Sequence, residues 1–156
     1  MKPVKNVLIV CTGNSCRSTM AEGYLVKRLK DLGIKDISVI SSGTGAVPGL
    51  RPTNEAIQVM AAHGIDISGY ASSVLNKMDI DNADIILVME PIHKEIILNL
   101  VPNANDRVCM LRQFSSEDNR KESFIRDPIG KPIKFYRQIF EIIKDSIEGF
   151  LTWLRE

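Results

Sequence analysis

The sequence predicts an α/β fold, a single three-layer domain in which a four-stranded parallel sheet carries helices on both faces. Short runs of aliphatic and β-branched residues alternate with longer amphipathic ones along the chain, the pattern of repeated strand–helix units. Val7-Leu8-Ile9-Val10 and Ile85-Ile86-Leu87-Val88 lack polar alternation, as strands buried on both faces require. No internal repeat and no Gly/Ser/Pro-rich linker divides the chain, so residues 1–156 read as one domain.

The elements follow in order. Residues 6–11 form the first strand. Residues 18–32 form a helix with Met20, Tyr24, Leu25 and Leu29 at helical spacing and Gly33 as its stop signal. Residues 36–42 are the second strand. Residues 53–63, opened by Pro52 and closed by Gly64, form a helix with Ala56, Ile57, Met60 and Ala61 inward. Residues 84–89 are the third strand and 92–100 its helix, with Ile96, Ile97 and Leu100 on one side. Residues 107–111 are a short fourth strand, and 135–154 the longest helix, in which Trp153 is a packing residue. Such units cross over right-handed, and their ligands gather at the carboxyl ends of the strands. Chemistry is therefore expected just after Cys11, Ser42, Met89 and Leu111.

Composition narrows the function classes. Hydrophobic residues at 44% and charged ones at 25% exclude a disordered chain, a collagen and a disulfide miniprotein. Twenty basic residues against 19 acidic ones leave a net charge of +1, so no global field draws the protein to nucleic acid or an acidic membrane. The first apolar run is too short to span a bilayer and lacks the form of a secretory signal. Three cysteines, with Cys11 and Cys16 close together, do not make a disulfide framework. The simplest reading is a reduced, cytoplasmic protein. His63 is expected at a helix C-terminus and His93 exposed on the helix after the third strand. Neither lies near a cysteine pair, so no metal and no cofactor are expected. Asp106, Glu117 and Asp118 read as solvated loop charges, and Asp81 and Asp84 as flanking the third strand.

The first strand runs into Cys11-Thr12-Gly13-Asn14-Ser15-Cys16-Arg17-Ser18 and then into a helix. A strand-to-helix loop gathers backbone N–H groups about one point, and the helix dipole adds roughly half a positive charge there. The result is a cradle for a tetrahedral oxyanion. Gly13 permits the tight turn, and Arg17 can add a two-pronged charged hydrogen bond. The same field favours the thiolate of Cys11, with the Ser18 hydroxyl placed to donate to the sulfur. A thiolate beneath a bound phosphate monoester is arranged for in-line attack on phosphorus. A lone cysteine ending a strand is more often a small buried side chain. Here the buried strand, the C-x5-R-S spacing and the helix start coincide, and the catalytic reading outweighs that one.

The stretch Val10-Cys-Thr-Gly-Asn-Ser-Cys-Arg-Ser-Thr-Met-Ala-Glu22 resembles the active-site signature of the low-molecular-weight protein tyrosine phosphatase family. Ser41-Ser42-Gly43-Thr44, Ala83-Asp84-Ile85-Ile86-Leu87-Val88-Met89 and Arg126-Asp127-Pro128 extend the resemblance through the chain. It implies that Cys11 is the nucleophile, that Arg17 clamps phosphate, and that Thr12 to Cys16 and Ser18 bind the substrate's phosphate. It also implies that Asn14 and Ser18 shape the loop, with Ser42 buttressing Asn14 from the second strand. Asp127 would be the general acid and base, on a backbone that Pro128 keeps extended. Cys16 is either a reversible disulfide partner for Cys11, as in the family, or a small core side chain under the loop. The implied partners are a phosphorylated protein and free oxyanions, without nucleic acid or membrane.

Several positions depart from the family's pattern. Thr19 replaces a common proline. Ile67-Ser68-Gly69-Tyr70 replaces a region that often carries a histidine supporting the loop asparagine, so that support is altered or passes to Tyr70. The substrate walls read Ala46-Val47-Pro48-Gly49 and Ile129-Gly130, without the usual aromatics. Losing rings that would stack on phosphotyrosine, at roughly 0.5–1.5 kcal/mol each, weakens that preference. Ser15 and the segment from Met89 to Glu95 resemble the protein arginine phosphatase branch. Phosphotyrosine is the leading substrate and phosphoarginine the rival. An arsenate reductase would need cysteines after the third strand, where none stands. A phosphocysteine carrier domain would need neither Arg17 nor Asp127.

Overall fold

The computed structural model describes residues 3–116 and 122–156. Its elements are β1 (Asn6–Cys11), α1 (Arg17–Asp31), β2 (Ser38–Gly43), α2 (Asn54–Ala61), α3 (Lys77–Asn82), β3 (Ile85–Val88), α4 (Pro91–Leu100), β4 (Val108–Met110) and α5 (Ile133–Leu154). Two 3-10 turns, Pro102–Arg107 and Leu111–Phe114, flank β4. The strands form one parallel sheet in the order β2-β1-β3-β4. The expected fold class is therefore observed. Successive strands are added on one side of β1 and then on the other, so the winding reverses between β1 and β3, and such a switch point opens a crevice at the carboxyl ends of its strands.

Alternation along β1 explains its unbroken apolar run. Val7, Ile9 and Cys11 enter the core shared with α1, α2 and α5, while Leu8 and Val10 enter the core shared with α3 and α4. β3 divides likewise, with Ile85 and Leu87 on the first side and Ile86 and Val88 on the second. The long helix α5 closes the first core with Tyr136, Ile139, Phe140, Ile143, Ile147 and Phe150. Trp153 packs there against Phe150 and Phe114, at 5.8 and 5.7 Å between ring centroids. Among the described residues no helix is long and apolar enough to cross a membrane.

Several boundaries differ from expectation by one or two residues, for local reasons. Helix α1 begins at Arg17, so the basic residue sits on its first turn. Pro91 occupies the first turn of α4, where its missing N–H costs nothing. The short α3, opened by Asn76, whose side chain accepts from Asp79 N, was not expected from the sequence. His63 lies just past the α2 cap at Ala62, exposed, with its ring 4.7 Å from that of Phe140. Asp84 sits just before β3 and accepts from the backbone N–H groups of Lys5 and Asn6, both at 2.8 Å. Asp81 and Asp106 are exposed, and Glu117 and Asp118 lie outside the described residues.

Candidate active site

The loop from Cys11 to Arg17 sits at the carboxyl end of β1. Its carbonyls are held from outside: Cys11 O accepts from Thr44 N (3.0 Å), Thr12 O from Gly45 N (2.9 Å) and Ser15 O from Thr53 N (3.0 Å). In a trans peptide the N–H lies opposite the C=O, so these bonds turn the amides of Thr12, Gly13 and Cys16 inward. Cys16 caps α1 without a side-chain hydrogen bond to the helix's first amides, which suits an anion-receiving terminus.

Cys11 lies at the floor of this ring. Its Sγ accepts from Asn14 N at 3.2 Å and is 2.9 Å from Ser18 Oγ. Ser18 Oγ already accepts from Asn14 Nδ2 (2.7 Å), which leaves the serine proton for the sulfur. Asn14 stands at φ 53°, a left-handed conformation costing a non-glycine residue roughly 1–2 kcal/mol. Its side chain offsets that cost with every bond it can make from Nδ2. The two Nδ2 hydrogens go to Ser18 Oγ and Ser41 Oγ (2.9 Å), and Oδ1 accepts from Ser73 N (2.9 Å). Ser41 in turn donates to Glu22 Oε1 at 2.5 Å, and burial pushes the Glu22 carboxyl above its usual range.

Two expectations change here. Ser41, not Ser42, supports Asn14 from β2. The register explains it: Ser41 pairs with Ile9, which faces the α1 side, and Ser42 with Val10, which faces the opposite core. Ser42 Oγ is buried there without a hydrogen-bond partner among the described residues. Tyr70 does not take over the histidine's task, because the backbone N–H of Ser73 does. Burial and the nearby Glu22 push the Tyr70 hydroxyl up to about 12.

Arg17 is almost wholly buried, with 1% of its surface exposed. One terminal nitrogen, Nη1, donates to Glu90 Oε2 at 2.6 Å and to the carbonyl of Ile125 at 2.8 Å. Both Nη1 hydrogens are thereby used, so an oxyanion bound here would have to be met by Nε and Nη2. Asp127 approaches from the segment after β4, with Oδ2 3.5 Å from Arg17 Nη2 and Oδ1 accepting from Ile129 N at 3.1 Å. Its side chain is partly exposed.

Glu90 and His93 were not among the expected site residues. His93 is not exposed on α4 but fully buried. Its Nε2 lies 2.9 Å from Thr12 Oγ1, and its Nδ1 accepts from Glu90 N at 3.1 Å. Burial, followed by the charge of Arg17, pushes this imidazole down to about 4, against the opposing charges of Glu90 and Asp127. The available signal was a carboxylate directly after a buried strand, then Pro91 and a side chain three residues on, the spacing of a capping box.

Cys16 lies under the loop, with Sγ 3.5 Å from Tyr136 OH and 3.6 Å from Thr53 Oγ1. Burial pushes its thiol up, which suits a packed side chain better than a ready thiolate. Gly13 and Ser15 form the partly buried upper rim of the loop, and Thr12 is exposed. Cys11, Cys16 and Cys109 are all free thiols.

A cysteine at the floor of an amide ring, with a buried arginine beside it and a carboxylate opposite, coincides with a match over nearly the whole chain. The family model described as "Low molecular weight phosphotyrosine protein phosphatase" matches residues 6–156. The chain belongs to the low-molecular-weight protein tyrosine phosphatase family. It is 34% identical to a probable low molecular weight protein-tyrosine-phosphatase, EpsP, of Ralstonia nicotianae, over 97% of each chain. The YwlE arginine phosphatase of Geobacillus stearothermophilus matches with a TM-score of 0.84 and 33% identity, over 96% of this chain and 92% of that one. A low molecular weight protein tyrosine phosphatase of T. tengcongensis matches with a TM-score of 0.86 and 34% identity, over 95% and 98%. This phosphatase is thus similar to members named for both substrates.

Proposed function

We propose that this phosphatase hydrolyses phosphotyrosine in proteins, with Cys11 as nucleophile, Arg17 as phosphate clamp and Asp127 as general acid and base. The carrying observation is the convergence of Asn14 N and Ser18 Oγ on Cys11 Sγ, beside an arginine with two nitrogens left for an oxyanion. The substrate phosphate sits in the ring of amides from Thr12 to Ser18. The Cys11 thiolate attacks phosphorus opposite the ester oxygen, an S–P bond forms and the P–O bond breaks. The Asp127 carboxyl gives its proton to the departing oxygen. Asp127, now a carboxylate, takes a proton from water as that water attacks phosphorus. The S–P bond then breaks, releasing phosphate and restoring the thiolate. Arg17 and the inward amides stabilise the charge on the transferring group.

Every step uses side chains of this chain alone, so chelation by EDTA should leave the rate unchanged. A thiol nucleophile must stay reduced to work, which supports a cytoplasmic setting. The substrate is a phosphorylated protein, and free phosphate competes for the same loop.

Phosphoarginine is the second reading, favoured by the rim of the site. Val47 and Ile129, at the sequence positions where the family commonly carries aromatic walls, are exposed aliphatic side chains that cannot stack on a phenyl ring. Ser15 offers a hydroxyl on the loop's edge, and the similarity to an arginine phosphatase adds weight. The deciding experiment compares kcat/KM for matched phosphotyrosine and phosphoarginine peptides. A preference for phosphotyrosine supports the proposal; a reversed preference transfers the assignment to phosphoarginine.

A further inference from the structure

A single imidazole contacts the structures that hold both ends of the phosphate loop. His93 is wholly buried, and each ring nitrogen has its own partner. The backbone N–H of Glu90 can only donate, so His93 Nδ1 must be its acceptor at 3.1 Å. A neutral ring with a bare Nδ1 carries its hydrogen on Nε2, which therefore donates to Thr12 Oγ1 at 2.9 Å. The shift of this group down to about 4, caused by burial and by Arg17 against Glu90 and Asp127, is consistent with that neutral form.

The two bonds bear on opposite ends of one loop, one directly at Thr12 and the other through Glu90 at Arg17. Thr12 follows the nucleophile, and its side chain is anchored to α4 across 81 residues of sequence. Glu90, whose backbone is fixed by Nδ1, holds Arg17 through its carboxylate at 2.6 Å. Lysine and arginine offer no acceptor, so they could not make both bonds. We propose that His93 is a positioning residue for the phosphatase reaction, fixing Thr12 through Nε2–H and the Glu90–Arg17 pair through Nδ1. The proposal rests on the phosphatase reading above.

Asparagine and glutamine divide the imidazole's functions. The Asn carbonyl takes the place of Nδ1 as acceptor for Glu90 N, and the Gln amide takes the place of Nε2 as donor to Thr12. The experiment compares His93→Asn, His93→Gln, Thr12→Val and the double variant His93→Asn/Thr12→Val with the wild type. For each it measures the dissociation constant of inorganic phosphate, kcat and KM on an aryl phosphate, and the thermal midpoint. His93→Asn and Thr12→Val should each weaken phosphate binding and lower kcat/KM about three- to tenfold, the value of one hydrogen bond. The double variant should be no worse than either single one, and His93→Gln should bind phosphate more tightly than His93→Asn. Native phosphate affinity and kcat/KM in Thr12→Val, or additive losses in the double variant, overturn the proposal. The Thr12→Val arm decides even if His93→Asn does not fold. A wild type that neither binds phosphate nor turns over would overturn the phosphatase reading itself, whereas an active wild type with insensitive variants overturns only the role of His93.

Discussion

Arg17 divides its guanidinium between holding and acting. Nη1 is committed to Glu90 and the Ile125 carbonyl, which leaves Nε and Nη2, the latter 3.5 Å from Asp127, for an oxyanion. Removing the carboxylate in Glu90→Ala leaves a buried cation without its hydrogen-bonded carboxylate, held only by the Ile125 carbonyl and the more distant Asp127. Kinetics should show about a ten- to hundredfold fall in kcat/KM, the range for hydrogen bonds to charged groups. Unchanged kinetics would mean that Ile125 alone suffices to orient Arg17. Cys11→Ser should lower turnover of an aryl phosphate by roughly a thousandfold or more while calorimetry still detects phosphate binding, because the amide ring and Arg17 remain. Asp127→Asn should slow esters with poor leaving groups by about 10²–10⁴ and those with good leaving groups far less. Equal slowing across a leaving-group series would remove Asp127 from the acid's role.

At the scale of elements, the site depends on how closely β2 approaches the phosphate loop. Gly43 pairs with Cys11 in the sheet, and a Cβ placed there would collide with the carbonyl of Thr12 and lie 2.9 Å from Asn14 N. Both atoms are backbone of the cradle, so they cannot step aside as a flexible side chain would. Gly43→Ala should lower kcat/KM and the thermal midpoint together, by about 1–3 kcal/mol of stability for overpacking at a close contact. A variant with native activity and melting would show that the cradle tolerates a shift of β2. The same strand shows how the sequence could mislead. Ser41 and Ser42 are adjacent and chemically identical, and only the pairing of Ser41 with Ile9 places its hydroxyl on the side of Asn14 and Glu22.

For the molecule as a whole, the buried His93 makes stability depend on pH. Unfolded, its ring takes a proton below about 6.5; folded, it resists until about 4. Between these values the unfolded chain binds more protons, so this group's contribution to stability falls as pH falls from 6.5 toward 4. Thermal melts across that window should drop more steeply for the wild type than for His93→Asn. Parallel curves would show that His93 does not titrate as its burial implies.

The sheet's parallel character and the position of the Cys11–Arg17 loop between β1 and α1 were legible in the sequence because they depend on local pattern, whereas the order β2-β1-β3-β4 was not. Val7 to Val10 are apolar without alternation, and the C-x5-R-S spacing carries its own geometry between a strand end and a helix start. Glu90 was not legible as the partner of Arg17, 73 residues away, nor was His93 as that of Thr12, 81 residues away. Those contacts arise because β1 and β3 are neighbours in the sheet, which puts the start of α4 beside the phosphate loop. The sequence by itself supplies the thiol, the guanidinium and the carboxyl of the candidate site. Which serine braces the loop, and which carboxylate and imidazole hold it, was decided only when strand register and switch-point packing brought distant side chains within hydrogen-bonding distance.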